Sequence, residues 1–440
     1  MNNYKSHPEP SNMLPAGIPY IVGNEAAERF SYYGMRAILM IYMTQYLVNS
    51  SGQLAVMSEN EAQGYFHLFV SAVYFMPLFG ALLADGLFGK YRTILLLSLI
   101  YCLGHFTLAL DNTRMGLLLG QSLIAIGSGG IKPCVSAQIG DQFGLNNQHL
   151  MTKVYSWFYI AINVGAFAAM LIIPWLLKHS GPAIAFAVPG LLMLLATVLL
   201  WLGRHHYTHK PPAGMKFIKE MCSQIGLKRL AKLASIYGFF TVFWALFDQT
   251  GSSWIIQAQK MDRMLWGIEL LPSQIQAANP LLIMLLVPLF SYLIYPLLNR
   301  CFVLTAISKM QLGLFLTVIA FAIPSIIQMQ LDEGFIPSIL WQLLAYVLLT
   351  SAEVMVSITC LEFSYTQAPA TMKSFVMAFY FLSVALGNLF TSAVNFLIHN
   401  IDGSSKLAGA DYYWFFTGLM LITAALFLWV SQRYHETDND

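Results

Sequence analysis

The chain has 440 residues, 57% of them hydrophobic and only 10% charged, and its formal net charge is +2. An ordinary soluble domain is about a quarter charged, so this composition excludes a water-soluble globular core. A membrane-spanning helix needs about 20 mostly apolar residues, because without water each backbone polar group must be satisfied inside its own segment. The chain reads as a succession of such spans.

Residues 1–17 are polar and contain proline. They lack the short apolar run and small-residue cleavage site of a secretory leader and are expected to form a terminal tail. Spans follow at 18–48, 64–88, 91–110, 115–140, 152–178 and 182–203, then at 230–257, 272–298, 303–329, 336–362, 373–399 and 412–433, leaving 434–440 as a second tail. The first carries Glu25, Glu28, Arg29 and Arg36, the fourth Lys132, the seventh Asp248 and the tenth Glu353, and these charges weaken the hydropathy of their spans. Between the sixth and seventh, residues 204–229 hold Arg204, Lys210, Lys216, Lys219, Lys228 and Arg229 and divide the chain into two halves. The expected fold is an all-α membrane protein of twelve transmembrane helices: an N-terminal six-helix bundle (18–203), a basic linker (204–229) and a C-terminal six-helix bundle (230–433).

Assigning the connections to alternate sides puts both termini on the side that collects most of the Lys and Arg residues, which the positive-inside rule makes cytoplasmic. The basic linker is then expected to touch anionic lipid rather than nucleic acid. The division into two sixes suggests the major facilitator architecture, with a cargo cavity near the midplane. The turn after the second span, GALLADGLFGKYRT, contains Asp85, Gly86, Gly89, Lys90 and Arg92. It resembles that superfamily's signature between helices two and three, which gives Asp85 a gating role; taken as residues alone it is a basic turn.

A charge at mid-bilayer costs about 2.5 to 3.5 kcal/mol on insertion scales. Glu25, Glu28 and Arg29 share a helix face, and Arg29 and Arg36 lie within two turns of each other. Two readings stand: the charges pair only with one another, or they line a wet cavity. Small residues already supply close helix packing, which favours the cavity. Cations mainly in the first half and a carboxylate in the second suit a zwitterionic cargo.

Cys102, Cys134, Cys222, Cys301 and Cys360 form no CxxC pair, and the 10 His show no HExxH spacing, although His205, His206 and His209 cluster in the linker. No disulfide framework, metal or cofactor is expected. With no GxSxG elbow and no Walker loop, neither is an enzyme.

Five stretches run through the chain in order: EAAERFSYYG (Glu25–Gly34), GSGGIKPCVSAQIGDQF (Gly127–Phe143), FYIAINVGA (Phe158–Ala166), FWALFDQTGSSW (Phe243–Trp254) and EFSYTQAP (Glu362–Pro369). They resemble the proton-coupled oligopeptide transporter family, nearer its animal members in the seventh and tenth spans. The large extracellular domain of those members is absent before the tenth span, and so is the extra helix pair that many bacterial members insert between the halves. The resemblance implies that Arg29, Arg36 and Lys132 meet a peptide carboxylate or neighbouring acids and that Glu353 meets the peptide amine. Tyr32, Tyr74, Asn163 and Asn279 would hold the peptide backbone, with Trp244 and Tyr380 forming side-chain pockets. Tyr380 stands where many members have Trp, and Asp248 where many have Glu. Proton coupling is implied for Glu25, Glu28, Asp248 and Glu353, which burial and a nearby cation pull in opposite directions. An Arg36 to Asp248 contact would serve as a gate.

His67 matches a histidine that animal members use for protons, and histidine titrates near neutrality unaided. For His67 a packing role and a proton role both stay open; His105 reads as a packing residue. The implied function is a proton-coupled symporter importing di- and tripeptides by alternating access, as a monomer in a bacterial inner membrane with both termini cytoplasmic. The alternative is proton-coupled carriage of free histidine or another small zwitterion or anion, and more remotely a non-transporting nutrient receptor or a membrane enzyme.

Overall fold

A computed structural model describes residues 4–8, 10–212, 214, 224–301, 303–367, 373–400 and 405–431. Lys216, Lys219, Cys222, the tail 434–440 and the last two residues of EFSYTQAP lie outside the described residues, as do the side chains of Lys228 and Arg229. Packing divides the chain into two compact units, Met1–Val56 with Ala72–Leu227, and Met57–Ser71 with Lys228–Asp440.

The first unit contains α1 (Ile18–Gln45), the second half of α2 (Glu59–Leu82), a π-helical turn at Leu83–Phe88, α3 (Lys90–Leu110), α4 (Arg114–Gly140) and α5 (Met151–Leu202). Helix α1 lies along α5, and α3 packs on α4 and α5. Helix α5 is two spans, broken at Gly181, whose φ of 79° is accessible to glycine and is followed by Pro182. The glycines of α4 are close-packing positions: a Cβ on Gly127 would lie 2.6 Å from the Tyr101 Cβ, and one on Gly80 of α2 would lie 2.6 Å from the Gly130 Cα. Such contact lets helix backbones approach in the absence of a hydrophobic drive between them.

The second unit contains the first half of α2, the helix Gln224–Phe247 from Lys228 onward, and the helices Ser253–Gln259, Ala278–Leu289, Ala306–Asp332, Ile339–Glu353, Thr359–Gln367, Lys373–Ile398 and Ala410–Ser431. The helix Ala306–Asp332 packs against Ile339–Glu353 and Ala410–Ser431, and its Asp332 accepts from the Ala410 amide at 2.8 Å. The grouping of Met57–Ser71 here differs from the expected unbroken first unit. Bonds tie this segment to the second unit, as when Ser392 donates to the Gly64 carbonyl at 2.8 Å.

Among the described residues, 8 helical stretches are long and apolar enough to cross a membrane. Helix α1, with its four charges, is not among them, nor is α4. The stretch Ile339–Phe363 qualifies, with a mean hydropathy of 1.8, although it contains Glu353 and Glu362; two carboxylates do not outweigh its aliphatic neighbours.

Candidate functional site

Within the first unit, α1 and α4 build an ionic array from side chains one turn apart. Arg29 Nε lies 2.6 Å from Glu25 Oε1 and 3.3 Å from Glu28 Oε2. Both carboxylates are 1% exposed. From α4, Ser128 donates to Glu28 Oε1 at 3.0 Å and accepts from Lys132 Nζ at 3.3 Å. A hydroxyl can do both at once, so Ser128 relays between acid and ammonium. Lys132 Nζ also stands 3.9 Å from the centroid of the Tyr32 ring and 5.6 Å from that of Tyr74, where the ring quadrupoles stabilise a desolvated cation. Beside the array, Ser31 is hydrogen-bonded to His105 Nε2 at 2.8 Å.

Within the second unit, a buried chain of hydrogen bonds joins His67 to Asp248. Asn388 Nδ2 donates to Asp248 Oδ2 at 2.7 Å and to the Val384 carbonyl at 3.0 Å. Those two bonds fix the amide, so Asn388 Oδ1 faces His67 and accepts from Nδ1 at 2.7 Å. The other ring nitrogen, Nε2, lies 2.8 Å from Ser252 Oγ. A neutral ring accepts there from the hydroxyl; a protonated ring donates, and the hydroxyl then turns to the Gln249 carbonyl at 3.4 Å. Both protonation states of His67 are thus provided for. Asn388→Leu is expected to remove one bond from His67 and one from Asp248 in a buried setting and to cost about 1–3 kcal/mol, read as a lower Tm by scanning fluorimetry. Asn388→Asp, which adds a carboxylate beside Asp248, is expected to cost more.

The tenth-span acid is also held. Asn279 Nδ2 donates to Glu353 Oε2 at 2.7 Å and to Thr350 Oγ1 at 3.2 Å. Glu353 immediately precedes the π-helical turn Val354–Ile358, a feature frequent at functional positions. The Tyr380 hydroxyl is 3.1 Å from Ser357 Oγ, and its ring is 6.5 Å from that of Trp244.

The remaining expected residues lie elsewhere in the fold. Asn163 donates to the Tyr159 carbonyl of its own helix at 2.9 Å. Arg36 is buried on α1, 7% exposed. Asp85 sits in the π-helical turn, its carbonyl accepting from Gly214 N. The nearby Lys90 bonds instead to Asp141 at 2.6 Å, which also takes Lys210 at 2.8 Å. In the clustered histidines, His209 stacks on Tyr4 at 4.3 Å and its Nε2 lies 2.8 Å from the Arg204 carbonyl; burial pushes its imidazole below its ordinary pKa. His206 stacks on Tyr20.

Sequence reasoning missed Ser128, Thr350, Ser252 and Asn388. Ser128 stands four residues before Lys132 and Thr350 three before Glu353, spacings that share a helix face. Nothing local in the sequence joins Ser252 and Asn388 to His67.

A profile of the POT family matches residues 91–227 and 223–415. The chain is 37% identical over 367 residues to peptide transporter family 1 of Drosophila melanogaster, covering 73% of this chain and 48% of that protein. It is 35% identical over 372 residues to human solute carrier family 15 member 2, covering 72% and 50%. The chain therefore spans about half the length of the curated relatives it matches. The in meso crystal structure of the POT family transporter PepTSo superposes with a TM-score of 0.86 at 36% identity, over 97% of this chain and 99% of that one. With its membrane helices and matches over both halves, the chain is a multi-pass membrane protein of major facilitator fold and belongs to the POT family.

Proposed function

We propose that this protein imports di- and tripeptides together with protons by alternating access. The observation that carries the reading is the buried array on α1 and α4. With all its groups ionised, Glu25, Glu28, Arg29 and Lys132 sum to zero charge. One added proton leaves the array cationic in a poorly solvating place, and a peptide carboxylate neutralises it. Proton and peptide then favour each other's binding, and the linkage is reciprocal.

Arg29, Arg36 and Lys132 receive the carboxylate, while Glu353, oriented by Asn279, receives the amine. Tyr32, Tyr74, Asn163 and Asn279 bond the peptide backbone, and Trp244 with Tyr380 accommodates side chains, so tolerance of sequence is broad. Besides Glu25, Glu28, Asp248 and Glu353, His67 takes protons through its two-way contact with Ser252. Arg36, Asp248 and Asp85 act in gating. The peptide-transporter and POT names of its relatives support the cargo class. The protein works as a monomer in a bacterial inner membrane with both termini cytoplasmic.

The test is uptake of labelled dialanine into proteoliposomes under an inward proton gradient. Accumulation that collapses on adding an uncoupler is the expected result. If free histidine accumulates and dialanine neither enters nor competes, the peptide assignment fails and the alternative cargo stands.

A further inference from the structure

The second unit holds a cavity of about 530 Å³ that the proposed transport cycle does not use. Val287 and Ser291 wall it on one side and Val354, Ile358 and Glu362 on the other; Lys309 reaches it from the first turn of the helix Ala306–Asp332. Two of the π-helical turns, Phe290–Ile294 and Val354–Ile358, contribute residues to it. Such turns interrupt regular helix geometry, which leaves room here between neighbouring helices.

Its charges are arranged for a ligand. Lys309 Nζ is held 4.5 Å over the Tyr295 ring. Glu362 lines the same cavity and is exposed. Among the described residues neither makes an ion pair, with the other or with any third group. Leu293, Leu297 and Val303, on the adjoining surface, are exposed apolar side chains, suited to lipid tails in a membrane protein. The cavity lies where the spans Pro272–Cys301 and Ala306–Asp332 end and begin, the depth at which lipid headgroups sit.

We propose that this cavity is a binding site for a phosphoethanolamine lipid, with the phosphate on Lys309 and the ammonium on Glu362. A primary ammonium offers N–H groups to the carboxylate and gains charge-assisted hydrogen bonds. A choline head has no N–H to give, and a phosphoglycerol head has no cation to set against Glu362. The apolar walls take the upper part of the acyl chains.

The experiment is native mass spectrometry of the purified full chain, delipidated and then offered phosphatidylethanolamine, phosphatidylcholine or phosphatidylglycerol at equal mole fraction. The wild type is expected to retain phosphatidylethanolamine about tenfold over the other two. Lys309→Gln is expected to lose retention of all three, whereas Glu362→Gln is expected to bind phosphatidylethanolamine and phosphatidylglycerol equally. Equal retention of the three lipids by the wild type, or an unchanged preference in both variants, overturns the site. Soluble phosphoethanolamine is added as a competitor in the same assay; displacement of the lipid at matched concentration would make a free zwitterion the ligand and overturn the lipid assignment. A melting curve for each variant, expected within about 2 °C of wild type for such exposed or half-buried positions, separates lost binding from lost folding.

Discussion

Glu353→Gln is expected to cut gradient-driven dialanine uptake by at least about thirtyfold. The substitution keeps a carbonyl oxygen for Asn279 to donate to and removes only the charge. Truncating one side of a buried ion pair costs about 2–5 kcal/mol, and each 1.4 kcal/mol is tenfold in affinity, so the lower bound already approaches thirtyfold. The comparison that isolates the peptide amine is N-acetyl-dialanine. It lacks the ammonium, so the wild type is expected to carry it poorly and the variant no worse. If the variant loses dialanine and the acetylated peptide by the same factor, Glu353 does not read the amine. Glu353→Asp, with the charge restored one methylene short, is expected to fall between.

The other large effect is expected at Arg29. Arg29→Leu leaves Glu25 and Glu28, both almost fully buried, without the guanidinium that touches each of them. Breaking a buried pair by removing one partner costs about 3–5 kcal/mol, because a charge is left uncompensated. Folded yield after size-exclusion chromatography is therefore expected to collapse. Adding Glu25→Gln removes one of the stranded charges and is expected to restore much of the folded yield without restoring proton-driven uptake. Recovery of transport along with stability would show that the array only holds helices together, the other reading of these charges.

Both arguments depend on features that differ in how far they could be read from the chain. The ion contacts of Arg29 follow from spacing: Glu25 stands four residues away on a helix, and Glu28 is its neighbour. The membrane setting follows from composition, and the break between the fifth and sixth spans from Gly181–Pro182. Gly127 and Gly130 of α4 lie against neighbouring backbone and side chains, a close approach that depends on which helices the fold sets side by side. Asn279 is expected to face a peptide bond, and in the fold it also holds Glu353 at 2.7 Å, a contact between residues 74 positions apart that no local pattern encodes.

Sequence alone determined the solvent, because a chain with so few charges and so many apolar runs can satisfy its backbone only as helices in lipid. It also determined which helices are costly to bury, since intramembrane charges stand out against that background. Tertiary structure alone decided which polar group answers which. Ser128 became a relay because α4 lies beside α1. His67 joined Asp248 through Asn388 because residues 67, 248 and 388 converge from three helices. Hydrogen bonds have a reach of about 3 Å and a required direction, and only the folded backbone fixes either.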